Sequence, residues 1–234
     1  MAGTPCQQGV GRLPYGIHVQ VITLTRSLGS ASHVGQPYET VPYVDAEHRV
    51  ALLEGAMATV RRFSPSYDDV LREVSSRINT SGSVGKLDIA ALAFWKRIRT
   101  SSWAESFLTL AEARIRKVTA PAVVAAREPD IIAACLQARE LLRELPGFGT
   151  GSAMASVVLT AIRPSGLAVY DRNANDGLKA VELDLADDEL HHYAEYMRRI
   201  EQCRAEARAV RGHQWSAHEI DLALYVLGQG RKHS

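Results

Sequence analysis

Apolar residues recur every three to four positions along most of the chain, a spacing typical of amphipathic α-helices. Turn-forming residues, notably proline at 65, 121, 129 and 164, separate the apolar stretches. The pattern predicts an all-α fold, because residues typical of strands are not concentrated in alternating runs. The predicted helices lie at about 45–62, 66–78, 86–99, 102–117, 120–126, 128–145, 150–162, 171–182, 187–211 and 215–228.

The first 40 residues have a different character, since they are rich in Gly, Ser, Pro and Gln. Within them, residues 16–24 alternate between apolar and polar like a short strand, but no pairing partner is evident. We therefore expect residues 1–40 to form an extended or partly disordered N-terminal segment.

A glycine-rich loop joins two of the predicted helices. Pro146 cannot continue the first helix and Gly147 tolerates positive φ, so the helix should end there. Thr150 suits the N-cap of the following helix. A tight loop at a helix N-terminus exposes N–H groups that attract phosphate without a positive side chain. The residues expected to bind a nucleic-acid backbone are Gly147, Phe148, Gly149, Thr150 and Gly151.

A single acid follows this loop at a distance. Asp171 lies 26 positions after Leu145, directly after a short apolar run, and opens the next predicted helix. Aspartate is among the best N-cap residues, so a purely structural role would explain it. A carboxylate at a helix N-terminus is also held in its charged form, which suits a catalytic role.

Residues 142–178, with the LPGFG loop and the acid at this separation, resemble the helix-hairpin-helix DNA glycosylases. This group contains endonuclease III, adenine glycosylase and 8-oxoguanine glycosylase. The resemblance implies a two-lobed helical bundle with DNA across the cleft between the lobes. The central domain would span 85–185 and carry the hairpin, and the second lobe would combine 41–84 with 186–234.

The resemblance also implies an activity, namely hydrolysis of the N-glycosidic bond of a flipped base in duplex DNA. Asp171 would stabilise positive charge on the deoxyribose or activate the attacking water. Gly151 stands where strand-cutting members place a lysine nucleophile, so base removal without lyase activity is expected. Only Cys203 follows Asp171, so no iron–sulfur cluster or other cofactor is expected.

Several other residues are candidate pocket or phosphate contacts, because flipped bases stack on aromatic rings and cations bind phosphate. The alternative for the segment 94–99 places Phe94, Ile98 and Trp95 in the core and its cations in solvent. Lys96 and Lys179 are also conceivable substitutes for the missing lysine. The candidate contacts are Trp95, Lys96, Arg99, Tyr170 and Arg172.

Composition limits the remaining possibilities. The net charge of +1 is not the strongly basic balance of many DNA-binding proteins, although arginines cluster locally. Three cysteines without a CxxC pair indicate neither a disulfide framework nor a zinc site, and His191, His192, His213 and His218 are expected at the surface, so no metal is predicted.

Duplex DNA is the expected partner, and the oligomeric state stays open. Without an apolar run of about 18 residues or a signal peptide, no membrane association and a cytoplasmic location are expected. Two alternatives to a glycosylase remain open: a non-catalytic DNA-binding module and a helical protein without a nucleic-acid role.

Overall fold

The computed structural model describes residues 10–12, 18–20, 45–63, 66–149, 153–185 and 192–231. Within these ranges the chain is almost entirely helical, as the spacing of apolar residues predicts. The ten described helices are α1 Ala46–Val60, α2 Asp69–Ser81, α3 Lys86–Trp95, α4 Ala104–Thr109, α5 Glu112–Ala125, α6 Ile131–Leu142, α7 Ala153–Ile162, α8 Arg172–Ala180, α9 His192–Arg211 and α10 Ala217–Arg231.

Two short strands precede the helices. β1 Val10–Arg12 pairs antiparallel with β2 His18–Gln20, with Gly11 opposite Val19. The alternation in residues 16–24 therefore does contain a strand, and its pairing partner lies a few residues upstream. The predictions for the rest of residues 1–40 fall outside the described residues.

The helix boundaries predicted between residues 102 and 126 differ most from those of the structure. The break expected before Pro121 is wrong, because Pro121 lies inside α5. The chain breaks instead at Leu110–Ala111, where α4 ends. The ammonium of Lys86 donates to the carbonyl oxygens of Leu108 at 2.8 Å and Leu110 at 2.5 Å. These bonds satisfy carbonyls that the end of a helix leaves without partners.

The helices enclose one continuous apolar core, to which every helix contributes. The most extensive contact joins α8 to α10, across the domain boundary predicted at residue 185. It is a very close approach, since a Cβ added to Gly177 would overlap the carbonyl oxygen of Leu224. A Cβ added to Gly228 would overlap the carbonyl oxygen of Asn173. Glycine at these two positions is what allows the backbones to touch.

The N-terminus of α10 is fixed by a capping box. Ser216 Oγ accepts from the N–H of Glu219 at 3.1 Å, and the Glu219 carboxylate accepts from the Ser216 N–H at 2.7 Å. The next two N–H groups, of Ala217 and His218, donate to carbonyls of the turn after α7. None of the ten described helices combines the length and apolar composition needed to cross a membrane.

Candidate functional site

The glycine loop forms a tight turn after α6. Gly147 has φ +88°, so positive φ is required here as the sequence predicts. Phe148 anchors the turn, because its side chain is 1% exposed and its N–H donates to the carbonyl of Leu145 at 3.1 Å. Phe148 can therefore offer a nucleic acid only backbone atoms. Thr150 and Gly151 lie outside the described residues.

The two described loop glycines differ in their surroundings. Gly147 is covered by the indole of Trp103, and an added Cβ would overlap that ring. Gly149 is exposed, and the nearest atom to an added Cβ is the Arg143 carbonyl oxygen at 4.0 Å. Within the described part of the chain, the N–H groups of Gly147 and Gly149 donate no hydrogen bond. The open side of the turn is thus at Gly149.

The segment 167–170, which leads into Asp171, is held by hydrogen bonds from two different helices. From α7, Ser156 Oγ accepts a hydrogen bond from the Tyr170 N–H at 3.0 Å, and Ser156 is fully buried. From α9, the Tyr193 hydroxyl donates to the carbonyl of Ala168 at 3.1 Å. Ser156 of α7 and Tyr193 of α9 thus hold the backbone that leads into the acid.

Asp171 is the N-cap of α8. Its Oδ1 accepts a hydrogen bond from the Ala174 N–H at 2.8 Å, which leaves its second oxygen available for other contacts. Asp171 is half-buried. Because α8 is locked against α10 by Gly177 and Gly228, the position of the carboxylate is set by helix packing as well as by the cap.

Asp171 belongs to a group of five ionisable side chains from four parts of the chain. We call this group the Lys96 cluster, and its members influence one another electrostatically. Tyr67 precedes α2, Lys96 ends α3 and Asp171 begins α8, while α10 contributes two residues. The cluster consists of Tyr67, Lys96, Asp171, Asp221 and Tyr225.

The ammonium of Lys96 lies at the centre of the cluster. It is 4.2 Å from the centre of the Trp95 ring and donates one hydrogen bond, at 3.4 Å, to the Tyr67 hydroxyl. Neither Asp171 nor Asp221 lies within ion-pairing distance of it, although both act on its charge. Burial disfavours the ammonium, but the phenol and the two carboxylates outweigh burial and raise the pKa of Lys96.

Asp221 forms the floor of the cluster and is 2% exposed. Burial raises its pKa to about 6, with Asp171 adding to the rise and Lys96 opposing it. The Tyr196 hydroxyl donates to Asp221 Oδ1 at 2.8 Å. His218 lies 4.0 Å from the other oxygen, and its Nε2 is 3.1 Å from Asp68 Oδ2.

The cluster has a buried side and an open side. Trp95, Tyr196, His218 and Asp221 are each less than a tenth exposed. Tyr67, Lys96, Asp171 and Tyr225 all retain part of their surface in contact with solvent. Burial, followed by the charge of Asp171, raises the pKa of Tyr225 to about 12, so its phenol stays protonated near neutral pH. The open side therefore presents one cation, one carboxylate and two neutral phenols.

The buried carboxyl group predicts a pH-dependent stability. In the unfolded chain Asp221 ionises near 3.8, but in the folded chain it ionises near 6. The folded state therefore holds an extra proton between these values, and the free energy of unfolding should fall as pH rises through them. Each difference of one in pKa is worth ~1.4 kcal/mol, which gives a fall of about 3 kcal/mol.

Urea unfolding of the wild type and of Asp221→Asn at pH 4 and pH 7 measures this fall. The variant retains an acceptor for Tyr196 but no longer titrates, so the stability difference between the two proteins should change by that amount. Parallel stability curves across this pH range would contradict the prediction.

The structure of the segment 94–99 differs from the alternative prediction that placed its aromatic and apolar residues in the core and its cations in solvent. Phe94 is 79% exposed, so its placement in the core is wrong, and Lys96 is turned inward instead of into solvent. Helix α3 ends at Trp95, and Arg97 has φ +50°, which breaks the helical spacing on which that alternative rested. Trp95 does lie in the core, where its indole N–H donates to the Tyr67 carbonyl at 2.9 Å, so it has no free face for a base.

The remaining candidate contacts lie at different depths. Tyr170 is half-buried and packs edge-on against Tyr196, with 5.2 Å between ring centres. Arg99 and Arg172 are exposed, and Arg172 directly follows Asp171 in the first turn of α8. Of the predicted contacts, Lys96 alone is joined to Asp171 by a described electrostatic interaction.

Three residues of the Lys96 cluster, Tyr67, Asp221 and Tyr225, and the neighbouring His218 were not selected as site residues from the sequence. His218, expected at the surface, is 6% exposed and contacts Asp68, so that expectation is wrong. Asp221 lies between Ile220 and Leu222 in the apolar part of α10, beyond the capping Glu219, and an acid between two apolar residues is the signal that would have found it. His213 pairs with Glu54 at 2.7 Å. Among the described residues, no group of three His, Cys, Asp or Glu side chains is arranged to hold a metal ion.

Two cavities lie away from Asp171. One, of about 620 Å³, is apolar and is lined by α3 and α4, including the exposed Phe94 and the Trp103 that covers Gly147. The other, of about 580 Å³, lies between α2, α3 and α5 and is lined mainly by polar and charged residues. Comparison of the chain with protein-family models, with curated proteins and with solved structures gives no match.

Proposed function

We propose that the protein is a helix-hairpin-helix DNA glycosylase with the two-lobed architecture of that group, which hydrolyses the N-glycosidic bond of a base turned out of duplex DNA. The observation that carries the proposal is the position of Asp171, half-buried on the open side of the Lys96 cluster and held there by Ser156, Tyr193 and the packing of α8 on α10. Departure of a base leaves positive charge on the sugar, and a fixed carboxylate stabilises it.

The glycine turn supports DNA as the partner. Gly149 is exposed, and its N–H has no acceptor within the described part of the chain. Backbone N–H groups of this kind bind phosphate oxygens and position a protein on the duplex without reading its sequence. The exposed Arg172, next to Asp171 in the chain, adds a positive charge beside the acid.

Simple hydrolysis, without strand cutting, is part of the proposal. The loop position that carries the nucleophile in strand-cutting relatives is Gly151. Lys96, a conceivable substitute, has a raised pKa and keeps its proton, so it is a poor nucleophile at neutral pH.

The test is base release by the wild-type protein from a panel of duplexes, each carrying one damaged or mispaired base. Released base is measured by mass spectrometry, and the DNA strand is examined before and after hot alkali. We expect release of at least one base, with strand breaks only after alkali. Salt-dependent binding without release from any duplex would favour a non-catalytic DNA-binding module, and failure to retard DNA at low salt would remove the nucleic-acid role.

Gly149 offers a sharp test of the binding surface. Its surroundings accommodate a side chain, so Gly149→Asp should fold normally while placing a negative charge beside the phosphate. We expect binding to duplex DNA to weaken about tenfold, with a smaller slope of log affinity against log salt. The matched variant Gly149→Ala adds a side chain without charge and should bind nearly as wild type. Equal binding by both variants would place the DNA elsewhere.

A further inference from the structure

The Lys96 ammonium has more donors than partners. An ammonium carries three N–H donors, yet within the described residues Lys96 donates one hydrogen bond, at 3.4 Å, to the Tyr67 hydroxyl. The face of Trp95 contributes a cation–π contact at 4.2 Å but accepts no strong hydrogen bond. Two donors of a half-buried cation are therefore open to an acceptor.

The Lys96 ammonium is also separated from the two nearby carboxylates. Asp171 and Asp221 both act on the charge of Lys96, but neither is within ion-pairing distance. A charged side chain is rarely buried without a partner, because desolvation is costly. Lys96 and Asp171 both keep part of their surface in solvent, and the charge of Lys96 interacts with Asp171 and with the phenols of Tyr67 and Tyr225.

From this geometry we propose that Lys96 is a second catalytic residue, whose ammonium binds a nitrogen or carbonyl oxygen of the nucleobase and stabilises the negative charge of the departing base. The inference rests on the proposed function and extends it to the ligand. Aromatic rings with a cation among them suit a flat heteroaromatic ring with acceptor atoms.

Lys96 and Asp171 would then act on opposite sides of the bond that breaks. The C1′–N bond breaks with its electron pair remaining on the base, where Lys96 donates hydrogen bonds and keeps its proton. The sugar becomes positively charged beside Asp171, and water forms the new C1′–O bond. The proton that water loses passes to Asp171 and from there to the base nitrogen, so the products are a neutral base and an abasic sugar.

This role differs from that of a Schiff-base lysine. A nucleophilic lysine must lose its proton, whereas a raised pKa keeps Lys96 charged across neutral pH. Treatment with borohydride during base release should therefore leave no covalent protein–DNA product. A trapped product that disappears in Lys96→Met would overturn the proposal.

The direct test measures binding of the free bases uracil, hypoxanthine and 8-oxoguanine to the intact protein. Calorimetry or ligand-observed NMR detects the binding. We expect wild-type protein to bind at least one of them. Lys96→Met should weaken binding about tenfold or more, and Lys96→Arg should restore most of it, because the guanidinium keeps the charge and the donors. Lys117→Met is the matched control, since Lys117 is an exposed lysine of α5.

Single-turnover base release gives the second readout. Removal of one preorganised donor costs about 100-fold or more in rate, so we expect this loss for Lys96→Met, partial recovery for Lys96→Arg and no change for Lys117→Met. Thermal melts of all variants identify any that fail to fold. If Lys96→Met fails to fold, the base binding and the rate of Lys96→Arg decide whether Lys96 has this role.

The outcomes separate the two proposals. Wild-type activity that Lys96→Met retains would overturn the role of Lys96 and leave the glycosylase proposal standing. Base binding that depends on Lys96, without release from any duplex, would overturn the catalytic role and the glycosylase and leave a base-binding site. No binding of any of the three bases and no release would overturn both.

Discussion

Gly228→Ala should destabilise the fold by about 3 kcal/mol or more, even though alanine is the better helix former. A Cβ at this position overlaps the carbonyl oxygen of Asn173 in α8, and the backbone N–H of Gly177 is also close, at 2.8 Å. Backbone atoms cannot rotate away as side chains can, so α8 and α10 must move apart. Gly177→Ala should behave similarly, because its Cβ meets the Leu224 carbonyl. Chemical denaturation measures both losses.

Gly55 provides the control for this prediction. It lies in α1, is exposed, and has no atom within 4 Å of an added Cβ. Gly55→Ala should therefore stabilise the protein by about 0.5–1 kcal/mol, the ordinary gain of alanine over glycine in a helix. The same substitution thus has opposite signs at two helical sites. A stabilising Gly228→Ala would mean that α8 and α10 do not approach this closely.

Asp171→Asn should reduce single-turnover base release by about 100-fold or more, with little change in DNA affinity. Asparagine is an N-cap residue comparable to aspartate, so the hydrogen bond to the Ala174 N–H and the start of α8 should persist. The variant removes the negative charge but keeps the shape of the site. The rate is measured with any substrate that the wild type processes.

Two comparisons isolate the charge. Asp176→Asn removes a carboxylate from the same helix, where Asp176 lies 4.0 Å from Lys179, and should leave the rate unchanged. Asp171→Ala also loses the cap, so it should lower stability by about 1 kcal/mol in addition to the rate. Unchanged base release by Asp171→Asn would remove Asp171 from the mechanism and leave it as a helix cap.

The sequence was sufficient for the helices, because each of them buries a face whose spacing is visible along the chain. It was also sufficient for the turn at Gly147, where proline and glycine leave few conformations, and for the start of α8 at Asp171. The break between α4 and α5 could not be predicted, since it depends on Lys86, which lies more than 20 residues earlier.

The partners of Asp171 could not be predicted for the same reason. Lys96 points inward because α3 ends at Trp95 and the chain turns at Arg97. A helical wheel continued through these residues places Phe94 in the core and Lys96 in solvent, the opposite of what the structure shows. The pairing of His218 with Asp68 joins α10 to the turn before α2, a contact between distant segments that no local pattern encodes. Local signals locate the acid and include Lys96 among five candidate contacts, but they do not show which of the five interacts with Asp171.

The Lys96 cluster is assembled from residues far apart in the chain, since Tyr67 precedes α2 and Tyr225 lies in α10, the last described helix. Contacts of such high sequence separation form late and slowly during folding. A synthetic fragment covering 142–178 would carry the whole glycine turn and Asp171, but none of the other four cluster residues. Such a peptide could at most bind phosphate, and base-release activity should appear only when the complete chain has folded.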